Sequence, residues 1–160
     1  MQLKRRTKTN YIVIHCSYTP PTMDIGATEI DKWHRERGWW GIGYHYIIRR
    51  DGTIEYGRPY DTIGAHVQGH NDDSIGICVV GGSTKSVDKA QDNFTVNQGI
   101  ALHELLQQLK QLYPEATVVG HKDLDPTREC PCFDLTLTKR FSNNVAEHDV
   151  TRSRHDDHNL

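Results

Sequence analysis

Two histidines and one cysteine in this sequence stand where apolar runs give way to loops. His15 closes the run Tyr11-Ile12-Val13-Ile14, and His121 follows Val118-Val119-Gly120. From His121 the chain crosses the polar, proline-bearing segment Lys122-Asp123-Leu124-Asp125-Pro126-Thr127-Arg128-Glu129 to reach Cys130-Pro131. Two neutral imidazoles and one thiolate suit zinc. Three protein ligands leave a fourth position for water, which marks a catalytic site rather than a structural one. Water in such a position ionises near pH ~7. Spacing alone also admits a plainer reading, in which strand-end histidines have structural or surface roles.

The elements that must position these residues can be read from periodicity. Tyr11 to His15 is rich in β-branched residues and reads as a buried strand. Residues 16–27 hold Pro20, Pro21 and Gly26 and read as a turn-rich loop. Thr28 to Gly38 reads as a short helix with Ile30 and Trp33 on one face and Gly38 as its stop. Tyr44–Arg49 and Thr53–Tyr56 flank Asp51-Gly52, a hairpin signal. Residues 57–73 read as irregular. Ser74 to Val80 is apolar throughout, as expected of a central strand. Gly81 to Asn93 reads as a polar loop.

Thr95 and Gln98 form a capping box. Behind them Ala101, Leu105, Leu109 and Leu112 recur at helical spacing, widened by Ile100, Leu102 and Leu106. Pro114 ends that helix, and Thr117 to Val119 is the strand that delivers His121. Phe133 to Phe141 reads as a final short helix capped by Asp134. These alternating elements predict an α/β fold: a single domain with a central mixed β-sheet flanked by helices.

Bulk properties narrow the function classes. A chain of 160 residues, 36% hydrophobic and 25% charged, is one ordinary globular domain. A net charge of -2 argues against direct nucleic-acid binding. No run approaches the ~18 apolar residues of a membrane span, and no apolar segment follows the charged N-terminus as in a secretory signal. The expectation is a chain made in the cytoplasm. There, Cys16, Cys78, Cys130 and Cys132 read as metal ligands or small buried hydrophobes rather than disulfides. Cys78, inside Ile75-Gly76-Ile77-Cys78-Val79-Val80, reads as core. Three segments follow: a basic arm over 1–10 carrying Lys4, Arg5, Arg6 and Lys8, a catalytic domain over 11–142, and a polar tail over 143–160. The arm reads as a frayed terminus or as a docking element for an anionic or protein partner. The tail and its histidines read as solvated chain.

Several short stretches, in order, match one family. They are Ile14-His15-Cys16-Ser17, Trp33-His34, Gly43-Tyr44-His45-Tyr46-Ile47-Ile48, Asp51-Gly52-Thr53-Ile54, Gly57-Arg58, Gly64-Ala65-His66, Asn71 with Ser74-Ile75-Gly76-Ile77, and His121 through Cys130-Pro131. On these stretches the chain resembles the zinc-dependent N-acetylmuramoyl-L-alanine amidases, which include amidase-type phage lysozymes and peptidoglycan recognition proteins. Its size and lack of an appended wall-binding domain look most like a phage or prophage endolysin.

The resemblance implies a zinc cleft at one side of the sheet, with zinc held by His15, His121 and Cys130. It implies hydrolysis of the amide between N-acetylmuramoyl and L-alanine in peptidoglycan. Tyr44 matches the family's catalytic tyrosine, a hydrogen-bond donor to the tetrahedral oxygen. Arg128 stands where phage amidases carry a lysine. Arginine is effectively always protonated, so this position would stabilise charge and not act as a general base. His66 and Asn71 fall where relatives line the peptide groove, and otherwise belong to a plain loop. Arg58 and Tyr60 fall near the segment that reads the third stem-peptide residue, where Arg58 can pair a carboxylate.

Other residues read as supporting. Trp33 is a core anchor, and His34 is its hydrogen-bonded neighbour. Trp39 and Trp40 pack or touch glycan. His45 and Cys16 each neighbour a site residue on a strand, so both should face away from the metal. Cys132 is an incidental thiol that can compete for zinc or oxidise onto Cys130. Two rival functions remain at this level: a recognition module that holds muropeptide without cutting it, and an amidase that also restrains a phage RNA polymerase. The expected route is synthesis in the cytoplasm of an infected bacterium and release to the wall at lysis.

Overall fold

The buried run Ser74–Val79 forms the middle strand of a sheet whose two faces carry separate apolar clusters. The computed structural model describes residues 2–133. In chain order these form β1 (Tyr11–Cys16), α1 (Ala27–Glu36), β2 (Tyr46–Ile48), β3 (Ile54–Tyr56), a 3-10 turn (Asn71–Asp73), β4 (Ser74–Val79), α2 (Val96–Leu112), β5 (Thr117–Gly120) and α3 (His121–Leu124). The strands make one five-stranded sheet in the order β3-β2-β4-β1-β5. β1, β2, β4 and β5 run parallel, and β3 returns antiparallel to β2. This is the mixed sheet expected from the sequence. The expected helix over Phe133–Phe141 and the tail over 143–160 lie outside the described residues, apart from Phe133.

Alternation along the strands decides what faces what. Ile12, Ile14, Tyr46, Ile48, Ile75, Ile77 and Val79 point to one face and pack under Ala101, Leu102, Leu105, Leu106 and Leu109 of α2. Each fully buried Ile or Leu there contributes about 1.5–3 kcal/mol relative to exposure. Ile47, Cys78 and Val80 point to the other face and pack with Ile30 and Trp33 of α1 and with Tyr44. His15 has the parity of Val13, so it belongs to the α1 face. Leu112 departs from the expected stripe: the last residue of α2, it is 58% exposed.

The capping box forms as read. Thr95 Oγ1 accepts from Gln98 N–H, and Gln98 Oε1 accepts from Thr95 N–H. Gln98 does more than cap. Its buried amide also donates to the carbonyls of Val80 and Ile48, 2.7 and 3.3 Å away, tying the start of α2 to β2 and the end of β4.

The N-terminal arm is not frayed, which corrects that reading. Arg6 N–H donates to Asp61 O, Ile63 N–H donates to Lys4 O, and the Arg6 guanidinium donates to Thr62 O and Thr9 Oγ1. The same guanidinium lies over the Tyr113 ring, 5.4 Å from its centroid. Lys4, Arg5 and Lys8 remain exposed. Among the described residues, no helix is long and apolar enough to cross a membrane.

Candidate active site

Parallel pairing of β1 with β5 sets Ile14 opposite Gly120. The next residue on each strand is a histidine, so His15 and His121 emerge side by side at the carboxyl ends of neighbouring strands. Their Nδ1 atoms are 3.1 Å apart and their ring centroids 4.5 Å apart. β5 stops there because α3 begins at His121, with Asp123 Oδ2 accepting from Gly120 N–H across its first turn.

Proton bookkeeping fixes the state of His15. Ser74 Oγ donates its one hydrogen to His70 O at 2.6 Å, so toward His66 Nε2, at 3.2 Å, it can only accept. His66 is therefore protonated on Nε2 and bare on Nδ1. That Nδ1 lies 2.8 Å from His15 Nε2, which must then be the donor. The remaining lone pair of His15, on Nδ1, faces His121. Burial, helped by the neighbouring His121, pushes the His15 pKa down to about 3. His66 is lowered as well, first by burial and then by His15. Both rings are neutral at ordinary pH, as metal ligation requires. The His66 ring fits because β4 has Gly76 beneath it: a Cβ there would sit 2.6 Å from His66 Cγ.

Cys130 is the third expected ligand. Its Sγ accepts from Cys16 N–H at 3.5 Å, donates to Cys16 O at 3.4 Å, and lies 3.3 Å from Cys16 Sγ. Its pKa is pulled below the ordinary thiol value, chiefly by the Cys132 and Cys16 thiols and less by His121, against the effect of burial. Among the described residues, no three His, Cys, Asp or Glu side chains already enclose a common point as a metal cage. The two imidazoles face each other, whereas the sulfur is turned toward the end of β1. The donor set nevertheless fits zinc: two imidazoles, one of them neutral and oriented through its other nitrogen, and a thiol favoured as thiolate.

These residues line one cavity of about 490 Å³ at the carboxyl ends of β1 and β5. Tyr44 and Arg128 line it too. The Tyr44 ring centroid lies 5.0 Å from that of His15 and 5.5 Å from that of His34. Burial raises the Tyr44 phenol pKa, so it remains a donor at neutral pH. Arg128 sits at the rim, its Nε 3.6 Å from Asp125 Oδ2.

The other expected residues divide. His66 and Asn71 line the cavity, but their polar groups are committed within the protein. Asn71 Oδ1 accepts from His66 N–H and Val67 N–H, which fixes the loop that holds His66. Arg58 and Tyr60 do not line the cavity. The Arg58 guanidinium donates to Ile42 O and Ile63 O, so it fastens two loops together. His45 does not line the cavity, and both of its ring nitrogens are engaged, Nε2 donating to Thr62 O and Nδ1 accepting from Gly76 N–H. Its ring centroid nevertheless lies only 5.7 Å from that of His66, so it does not face the opposite side as alternation suggested. His34 Nδ1 accepts from Gly43 N–H.

Cys16 does not stand apart, which corrects the expectation from alternation. β1 ends at this residue, and the loop carrying Cys130 and Cys132 folds over that end. Sequence reasoning missed Arg37 as a cavity wall and left Trp39 open between packing and glycan contact; both line the cavity, with Arg37 Cζ 5.7 Å from the Trp39 ring centroid. The placement of Trp39 just past a glycine-ended helix was the only signal.

Residues 5–133 match the family described as N-acetylmuramoyl-L-alanine amidase. The endolysin of Enterobacteria phage K11 is 45% identical over 135 residues, spanning 84% of this chain and 88% of that protein. The endolysin of Klebsiella phage KP32 is 47% identical over the same shares. Among solved structures, the N-acetylmuramoyl-L-alanine amidase LysC from Clostridium intestinale superposes with a TM-score of 0.74 at 32% identity, covering 89% of this chain and 91% of its own. The chain belongs to the N-acetylmuramoyl-L-alanine amidase family. Its activity is hydrolysis of the amide bond between N-acetylmuramoyl and L-alanine, and its substrate is peptidoglycan.

Proposed function

We propose that this amidase is a phage endolysin and that it works with a zinc ion held by His15, His121 and Cys130. The observation that carries the zinc reading is the chain Ser74–His66–His15, which leaves a bare Nδ1 lone pair on His15 facing His121. The family is generally zinc-dependent. Bound zinc supplies Lewis acidity toward the scissile carbonyl.

The chain's own residues supply the rest. His66 holds the His15 ring and its proton in place. As the carbonyl carbon becomes tetrahedral, negative charge grows on its oxygen, and fixed donors stabilise it best. The Tyr44 phenol donates a hydrogen bond to that oxygen. Arg128 offers a permanent positive charge at the rim and takes no proton. Trp39 and Arg37 form the wall along which a muropeptide lies. The protein is made in the cytoplasm of an infected bacterium and meets the wall at lysis.

The test uses purified murein. Amidase action releases L-alanine amino groups without new reducing ends, and both chelation and Cys130→Ser abolish the release while zinc restores only the wild type. New reducing ends without amines would overturn the activity. Full activity after removal of all bound metal would overturn the zinc assignment alone. Added to Gram-negative cells with permeabilised outer membranes, the protein lowers turbidity; intact cells throughout would overturn the endolysin role.

A further inference from the structure

Three of the four thiols of this chain meet at the end of β1, although the mechanism uses only one of them. Cys16 Sγ lies 3.0 Å from Cys132 Sγ and 3.3 Å from Cys130 Sγ. The two approaches differ in kind. Cys130 is also engaged with the Cys16 backbone through N–H and O, whereas Cys132 meets only thiols, Cys16 at 3.0 Å and Cys130 beside it. Cys132 is aimed by its backbone. Its φ is +69°, a left-handed conformation uncommon for a residue with a side chain, and its N–H closes a turn onto Glu129 O at 2.9 Å. Space for the pair is provided by Gly82, itself at φ +99°. A Cβ at Gly82 would lie 2.8 Å from Cys16 Sγ and 3.3 Å from Cys132 Sγ.

We propose that Cys16 and Cys132 are a redox modification site, an intramolecular disulfide that forms when the protein leaves the reducing cytoplasm. The inference concerns these two residues, neither of which is an expected zinc ligand. The sulfurs stand about 1 Å beyond the ~2.05 Å of a disulfide bond. Access favours one direction of attack, since Cys16 is buried at 3% exposure while Cys132 is only partly buried. Of this pair, the partly buried Cys132 is the one that a small disulfide oxidant, such as oxidised glutathione, can reach. The Cys132 sulfur attacks the oxidant's S–S bond, forms a mixed disulfide and releases one thiol. The Cys16 sulfur then attacks Cys132 Sγ, the Cys16–Cys132 bond forms, and the second oxidant thiol leaves. Two protein S–H bonds are lost, and their two electrons and two protons end on the two released thiols.

The setting and the consequence are both specific. Peptidoglycan lies outside the cytoplasmic membrane, in compartments where disulfides persist. The bond ties β1 to the far end of the loop that begins at His121, across 116 residues of sequence. Cys130 keeps its thiol, so the expected ligand set is not consumed. The proposal departs from two sequence-based expectations, that the cysteines avoid disulfides and that Cys132, if it oxidised, would do so onto Cys130.

The experiment exposes the full chain, with and without zinc, to oxidised glutathione under native conditions. Free thiols are counted after unfolding, and linked peptides are mapped by mass spectrometry without reduction. The expected result is loss of two thiols per chain, a peptide joining Cys16 to Cys132, and a higher melting temperature that reduction reverses. Cys132→Ser replaces a partly buried side chain with one of similar size and should keep all three of its thiols under the same treatment. A dominant Cys16–Cys130 or Cys130–Cys132 linkage would overturn the proposal. So would retention of all four thiols, or loss of two thiols in Cys132→Ser.

Discussion

Replacing His66 with alanine tests the proton chain most directly. The change deletes the acceptor 2.8 Å from His15 Nε2 and the partner of Ser74 Oγ. A buried N–H left without a partner costs about 1–3 kcal/mol. His15 can escape that cost by turning its ring or by moving its proton to Nδ1, and either change takes away the lone pair that faces His121. At about 1.4 kcal/mol per tenfold, this corresponds to a drop in zinc affinity of roughly 5- to 150-fold. The usual effect of removing such a supporting partner is similar, about 10–100-fold. Zinc affinity is measured by competition with a chromophoric chelator, and urea unfolding of the metal-free protein separates lost ligation from lost folding. His66→Gln, whose Oε1 can accept from His15, should recover part of the affinity. A His66→Ala protein that folds like the wild type and binds zinc with unchanged affinity would refute the reasoning.

Four further outcomes follow from the same structure. Tyr44→Phe keeps the ring against His15 and His34 but removes the donor, so turnover on murein should fall about 10²–10³-fold with zinc content unchanged; undiminished turnover excludes the phenol from the reaction. Arg128→Lys should keep most activity in that assay and Arg128→Ala should lose about 10²-fold, whereas full activity in the alanine variant removes Arg128 from the machinery. Gln98→Ala removes the amide donors to Val80 O and Ile48 O, each of which keeps one other donor, Arg50 Nη1 and Val80 N–H, and should cost about 1–3 kcal/mol in urea unfolding; a loss below about 0.5 kcal/mol contradicts its role as a tie between α2 and the sheet. His45 is held near a pKa of about 4 by burial, below its unfolded value. Its contribution to stability is complete above pH ~6.5 and declines by about 1.4 kcal/mol per unit as pH falls toward 4. Equal stability of the metal-free wild type at pH 7 and pH 5 would contradict this.

Much of the fold was legible because it follows local rules. The capping box at Thr95 and Gln98, the Asp51-Gly52 hairpin and the apolar run at Ser74–Val79 each carry their own signal. Leu112 was misread because helical spacing says which face a residue shares, not whether anything covers that face at the helix end. The arm was misread because Arg6 finds its partners at Thr62 and Tyr113, residues no local pattern connects to it. At the site, His15, His121 and Cys130 could be read by type and spacing, Tyr44 and Arg128 only through the family resemblance, and all five line one cavity. Arg58 was not legible, since a guanidinium aimed at two backbone carbonyls looks in sequence like one available to a carboxylate. The Cys16–Cys132 approach was hidden for the same reason: alternation says where a strand residue points but not which loop returns over its end.

The pairing of β1 with β5 has a further consequence. The gap between the two histidines is set by strand register, and the hundred or so residues that separate them in sequence have no say in it. A slip of one residue would carry His121 about 3.3 Å along the sheet and turn it to the other face. By contrast, chain inserted into the exposed segment around Lys85 to Lys89 changes the contour length between the histidines without touching the ruler that spaces them. Such a site tolerates growth in its connecting loops and is intolerant of a single added residue within β1 or β5. Fusion partners and tags therefore belong in that loop, and engineering of the strands themselves should leave residue count unchanged.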